Sequence, residues 1–226
     1  MAVNLSTAPR EAILEAAKTV LRRYGHDKMT VVDIARVLGM SHANVYRFFR
    51  TKSEIFDAII EQWLAKVDAF VEAIARRRLP ASVRLEAIVL ELHRKRKQKL
   101  RQDAEVFETY RRVVEVRPDA AARRREQLVR VFQRLIEEGI RDGEFAPVNS
   151  RRIAVALKDA TALFLHPFLI PTTLHEESES RARQVVRLIL AGVGAGDQTP
   201  PAQRGARIKR RRSPRLAEAR PTRRPV

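Results

Sequence analysis

The side chains with the most chemistry to offer are crowded into one stretch, SHANVYRFFRTK at residues 41–52. On a helix from His42 to Phe49, at about 100° per residue, Val45 and Phe49 share an inward face. Ala43, Asn44 and Arg47 take the opposite face, with Tyr46 and Arg50 on its flank. A guanidinium can hydrogen-bond guanine bidentately, an Asn amide can read adenine, and an Ala methyl can touch the methyl of thymine. Lys52 follows at the start of another helix, where backbone amides and an ammonium together suit a phosphate. Catalysis has no comparable footing. The chain contains no phosphate loop, no nucleophile elbow and no paired catalytic carboxylates, so no catalytic residue is assigned. His93, His166 and His175 lack partners at a metal-ligand spacing, so neither a metal nor a cofactor is expected.

A short reading helix must be held rigidly, and the residues around it supply the means. Thr30 can cap a helix beginning at Val31, with Asp33 at its third position reaching back. Ile34, Ala35 and Leu38 face inward, and Gly39 provides the left-handed conformation that ends the helix. Met40 keeps the turn packed, and Ser41 caps the next helix at once. Two short helices joined by such a turn make a helix-turn-helix. Thr51, with Glu54 three residues on, then caps a long helix whose apolar stripe runs from Phe56 to Ile74.

The rest of the chain also repeats with helical period. Ile13 to Tyr24 mark a first helix, which Gly25 is expected to stop. Residues 82–100, 104–116, 120–141, 153–165 and 182–191 read as further helices, and no segment alternates with period two. The expectation is an all-α fold of about nine helices. Its parts are a helix-turn-helix domain over 1–51, a helical domain over 52–193 and a basic tail over 194–226.

The stretch TVVDIARVLGMSHANVYRFFRTKSEIF resembles the N-terminal domain of tetracycline-repressor-type (TetR family) transcriptional regulators. The matching positions are Thr30, Ile34, Ala35, Leu38, Gly39, Met40, Ser41, Tyr46, Phe49 and Lys52, and the likeness extends over roughly residues 9–64. Phe48 departs from the pattern, which often has His or Tyr there. The resemblance implies that Thr30, Tyr46 and Lys52 hold phosphates while Ala43, Asn44 and Arg47 read bases. Ser41 and His42 belong to the same DNA-facing group, with His42 on phosphate or solvent. It further implies a palindromic double-stranded operator, a homodimer built on helices near 151–168 and 178–191, and a pocket for a small apolar effector. Ala154, Ala160 and Ala162 are small enough to let partner helices approach closely. Trp63, Phe70, Phe107, Tyr110, Phe132, Phe164 and His166 are the candidates for lining that pocket.

Composition agrees with a polyanionic partner. Of a net charge of +18, the segment from Asp197 onward carries ten Lys/Arg against two Asp/Glu, a net of +8. That segment is rich in Pro and Arg and poor in large apolar residues, so it is expected to be disordered and to attract DNA without reading it. A run of cations from His93 to Arg101 reads as a solvated helix face, with attraction of an acidic effector as its second reading. There is no Cys, no signal-peptide pattern and no membrane-length apolar run, which points to a soluble cytoplasmic protein. A ligand-released repressor leads. An effector-independent DNA-coating protein using the basic tail is the alternative.

Overall fold

Caps and glycines set the helix ends at the N-terminal side of the computed structural model, which describes residues 9–194. Helix α1 spans Pro9–Lys28; Gly25, at φ 77° and ψ 170°, kinks it, and a last turn continues to Lys28 instead of stopping at the glycine. Helix α2, Val31–Leu38, starts at Thr30, whose hydroxyl accepts the Asp33 N–H at 3.1 Å. Gly39 ends it in the left-handed region at φ 63°, and the Met40 N–H returns to the Ala35 carbonyl at 3.0 Å.

Helix α3, His42–Tyr46, is capped by Ser41 and is shorter than the expected His42–Phe49. The reason lies just beyond it. Thr51 caps α4, Lys52–Ala75, and Glu54 reaches back to accept the Arg50 N–H at 2.8 Å. The chain must therefore turn between Arg47 and Arg50 to enter the new helix.

The remaining helices are α5 (Ala81–Gln102), α6 (Ala104–Val116), α7 (Pro118–Arg141), α8 (Ser150–Ala160), α9 (Ala162–Leu165) and α10 (Ser178–Ala191), with a 3-10 turn at Ile170–Thr173. The fold is all-α, with ten α-helices among the described residues where about nine were expected. The extra one arises at Thr161, whose hydroxyl donates to the Leu157 and Lys158 carbonyls at 2.7 and 3.1 Å, interrupting the run into α8 and α9. The basic segment from Asp197, expected to be disordered, lies outside the described residues.

Two main apolar clusters hold the helices together. One joins α1–α4, through Val20, Ile34, Val45 and Phe49, to Val106, Phe107 and Tyr110 of α6. The other packs the far half of α4 against α5, α7, α8 and α10 around Ile88, Phe132 and Val186. Full burial of a side chain such as Phe49 or Phe132 is worth about 1.5–3 kcal/mol.

The cation run on α5 is a solvated face only in part: Arg94 and Arg101 are exposed, but other members are tied into the fold. His93 is fully buried between the Phe164 carbonyl and the Ser178 hydroxyl, both at 3.0 Å from its ring nitrogens. Lys97 donates to the His175 carbonyl and Arg101 to the Leu174 carbonyl, so the run ties down the segment leading into α10. Long cationic side chains can cover apolar surface as well as reach water, and here they also satisfy carbonyls at the loop.

Outward on α10, Arg181, Gln184, Leu188 and Ala191 form one stripe, with Leu188 74% exposed. On α8, which touches α10, Val155 and Ala156 are exposed. Ala154, expected to ease the approach of a partner, is buried in the chain's own core, whereas Ala160 is exposed.

Candidate nucleic-acid interface

Helix α3 is a scaffold with one side anchored and one side free. Val45 and Phe49 are buried, and the Arg10 guanidinium lies 4.4 Å from the Phe49 ring centroid. Arg10 also donates to the Phe48 carbonyl at 3.5 Å, so α1 fixes the exit of α3. Sequence reasoning missed Arg10; its nearness to Phe49 arises from how α1 crosses α3, which no local spacing encodes. Ala43, Asn44 and Arg47 are all exposed on the opposite face. Ser41 and His42 are exposed at the start of α3, and the His42 ring meets Tyr46 edge-on at 6.4 Å. Tyr46 is 45% exposed, beside that free face.

Thr30 and Lys52 are more tightly engaged. The Thr30 hydroxyl caps α2 and hydrogen-bonds the Asp33 carboxylate. That bond, helped by Arg36, holds the Asp33 carboxyl below its ordinary value despite some desolvation. Lys52 Nζ donates to the Asp27 carbonyl at 3.2 Å and lies 5.3 Å from the Phe56 ring centroid. Burial holds this ammonium below the ordinary lysine value, with Asp27 opposing. Lys52 thus neutralises the carbonyl end of α1 at the foot of the helix-turn-helix.

The interface is wired to the body through α6. Arg22 of α1 grips Asp103, Arg112 of α6 pairs with Asp27 at 2.6 Å, and His26 lies 3.2 Å from the Thr109 hydroxyl. Burial first, then the Arg112 and Lys52 charges, hold the His26 imidazole below its ordinary value.

A cavity of about 180 Å³ opens between α4, α5, α6, α7 and the α8–α9 junction. Leu64, Val67, Val71, Val113 and Leu128 give it apolar walls. Among the residues expected to line a pocket, Tyr110 and His166 do so. Trp63, Phe70, Phe107, Phe132 and Phe164 do not, because packing uses them elsewhere. Phe107 and Phe132 are buried in the two clusters, Phe164 packs with Leu90 and Ala182, and Trp63 bridges the clusters with its ring edge-on to Tyr110 at 5.1 Å. Phe70 is covered by the Lys95 ammonium, 4.0 Å from its centroid.

Sequence reasoning also missed the cavity's charged wall, although a signal was present. Asp57, Glu61, Asp68 and Glu72 fall on one stripe of α4 at helical spacing, answered by Arg124 and Arg134 of α7 and by Arg117 just before it; of these, Asp57 and Arg134 stand outside the lining.

Comparison with known proteins agrees with this arrangement. Residues 13–59 match the family model described as bacterial regulatory proteins, tetR family, and residues 81–186 match the tetracyclin repressor-like C-terminal domain. The HTH-type transcriptional regulator YfiR of Bacillus subtilis (strain 168) is 30% identical over 147 residues, covering 61% of this chain and 68% of that relative. The chain belongs to the TetR family. It is a DNA-binding transcriptional regulator of that family and not an enzyme. TetR-family crystal structures share its fold. That of a Mesorhizobium loti MAFF303099 regulator superposes with a TM-score of 0.61 at 17% identity, over 82% of this chain and 96% of that one. A transcriptional regulator from Cytophaga hutchinsonii ATCC 33406 gives 0.64 at 21% identity, over 81% and 97%. No helix among the described residues is long and apolar enough to cross a membrane.

Proposed function

We propose that this TetR-family protein is a cytoplasmic repressor that binds a palindromic operator as a homodimer and is released by a small molecule seated in the α4–α7 cavity. Ala43, Asn44 and Arg47 read base edges, while Thr30, Ser41, His42, Tyr46 and Lys52 meet the backbone around them. Residues 1–51 carry the reading head, 52–193 the effector and dimer surfaces, and 194–226 a sequence-independent attraction to phosphates. The dimer forms on the outward stripes of α8 and α10, so that two short reading helices address two half-sites.

The observation that carries the reading is the position of α6. Tyr110 packs in the same cluster as Val45 and Phe49 and also borders the cavity. A molecule entering there presses on the helix that Arg22, Asp27 and His26 hold against α1. Such a molecule acts by preferring the conformation that does not bind DNA, since equal affinity for both conformations shifts nothing. The test is to sequence chromosomal fragments retained by the full-length protein, with and without cell metabolites, and to footprint the best. One protected palindrome that is lost on adding a metabolite fraction is expected. Diffuse coverage that no fraction relieves points instead to effector-independent coating of DNA.

A further inference from the structure

The cavity's charges are not balanced. Its lining contains five cations, Arg96, Arg117, Arg124, Arg125 and Lys158, against three carboxylates, Glu61, Asp68 and Glu72. All three carboxylates are already engaged. Arg124 bridges Glu61 and Asp68, and Arg134 meets Glu72 at 2.8 Å. Arg117 is likewise occupied, by Asp57 at 2.7 Å.

The other three cations differ. Among the described residues neither Arg96 nor Arg125 has a carboxylate within ion-pair distance, and Lys158 meets only the exposed Asp159 beside it in sequence. The Arg96 Nε–H is buried with no hydrogen-bond partner, while its Nη1 donates to the Leu92 carbonyl at 3.3 Å. A buried donor left unpaired is destabilising, the more so when the group is charged. The neighbouring His166 imidazole feels the same field: burial first, then Lys158, Arg96 and Arg125, hold it below its ordinary value. No carboxylate offsets those three charges at His166.

We propose that the molecule taken by this cavity is a small organic anion, a carboxylate on a short apolar body, whose charge is received by Arg96, Arg125 and Lys158. The inference rests on the reading of the cavity as an effector site and narrows the chemistry of its ligand. A cationic ligand finds every lining carboxylate spoken for. A neutral one leaves the excess positive charge of Arg96, Arg125 and Lys158 uncompensated. The apolar walls and a volume of about 180 Å³ limit the body to a small ring or a short chain. An engineered apolar cavity of about 150 Å³ holds a benzene.

The test uses the full-length protein without DNA and titrates linear C6, C8 and C10 compounds, each as the carboxylate, the primary alcohol and the primary amine, by calorimetry. At the best length the carboxylate is expected to bind about tenfold or more tighter than its alcohol and amine, the strength of a charge-assisted contact. Arg96→Gln and Lys158→Gln each remove most of that preference, and Arg96→Lys retains part of it. Arg130→Gln, which removes one charge outside the cavity, leaves it unchanged. Circular dichroism identifies a variant that fails to fold, in which case Lys158→Gln and Arg125→Gln decide. Equal binding of the three head groups, no binding at any length, or a preference untouched by all the cavity variants overturns the proposal. A separate operator titration with the same carboxylate keeps the two ideas apart. Tight carboxylate binding that leaves operator affinity unchanged sinks the release mechanism and leaves the anion site standing.

Discussion

Arg22 and Asp103, 81 positions apart, meet side-on, with Nε to Oδ1 at 3.1 Å and Nη2 to Oδ2 at 2.8 Å. The Asp103 side chain is 6% exposed, and Lys99 supplies a third contact at 3.0 Å. Burial pushes the Asp103 carboxyl up, but hydrogen bonds from Arg22 and Lys99 outweigh it and hold the group below its ordinary value. The fork joins the helix that backs the reading head to the junction of α5 and α6.

Asp103→Asn is therefore expected to destabilise the protein by about 1–3 kcal/mol near neutral pH. A carboxyl with a depressed folded-state pKa contributes stability that is complete above its unfolded value of about 3.9 and disappears as pH falls through the folded value. The difference between wild type and Asp103→Asn should thus shrink on acidification below about pH 4. Urea unfolding of both proteins at several pH values measures it, and a constant difference refutes the assignment.

Arg47→Ala is expected to cost about 1–3 kcal/mol at the preferred operator and to relax the preference at one base pair. Lys52→Ala should weaken operator and random DNA alike, because contacts to phosphate carry no base information. Binding titrations on a set of single-base operator variants separate the two behaviours. An Arg47→Ala protein with unchanged affinity and preference removes α3 as the reading helix.

Leu188→Glu places a charge in the middle of the outward α10 stripe. The expected outcome is a monomer at micromolar concentration by analytical ultracentrifugation, with unchanged helix content and much weaker operator binding. A dimer of undiminished affinity would move the interface elsewhere.

Histidines make stability depend on pH in the mildly acidic range. His26, His93 and His166 all have imidazoles held below their ordinary value, in each case first by burial. The unfolded chain then takes up protons before the folded one does. Stability should fall as pH drops below about 6.5, the ordinary histidine value, and level off below the folded values. His93→Gln should flatten part of that slope. Melting temperatures between pH 8 and pH 5 test it, and a flat profile in the wild type contradicts it.

The helix-turn-helix was legible because its signals are local. Thr30, Gly39, Ser41 and Thr51 each set a boundary within three or four residues, and the structure places each boundary at that residue. The cavity was not, because an aromatic at helical spacing looks the same whether it faces a core or a pocket. Phe107 and Phe132 satisfy the period and are buried; the wall is made instead by aliphatic and charged residues from several helices. The cation run on α5 misled for a related reason. Beside local contacts such as Lys99–Asp103, several of its members reach carbonyls and a hydroxyl some 70–85 positions away, which carry no signal in the sequence.

The contribution of Val106, Phe107 and Tyr110 to the cluster around Val45 and Phe49 also bears on modularity. A graft cut at residue 51 divides a hydrophobic core, leaving one half without its lid and the other with an orphaned apolar face. On the proposed reading, exchanging only the exposed residues 43, 44 and 47 changes specificity while leaving that shared interior whole.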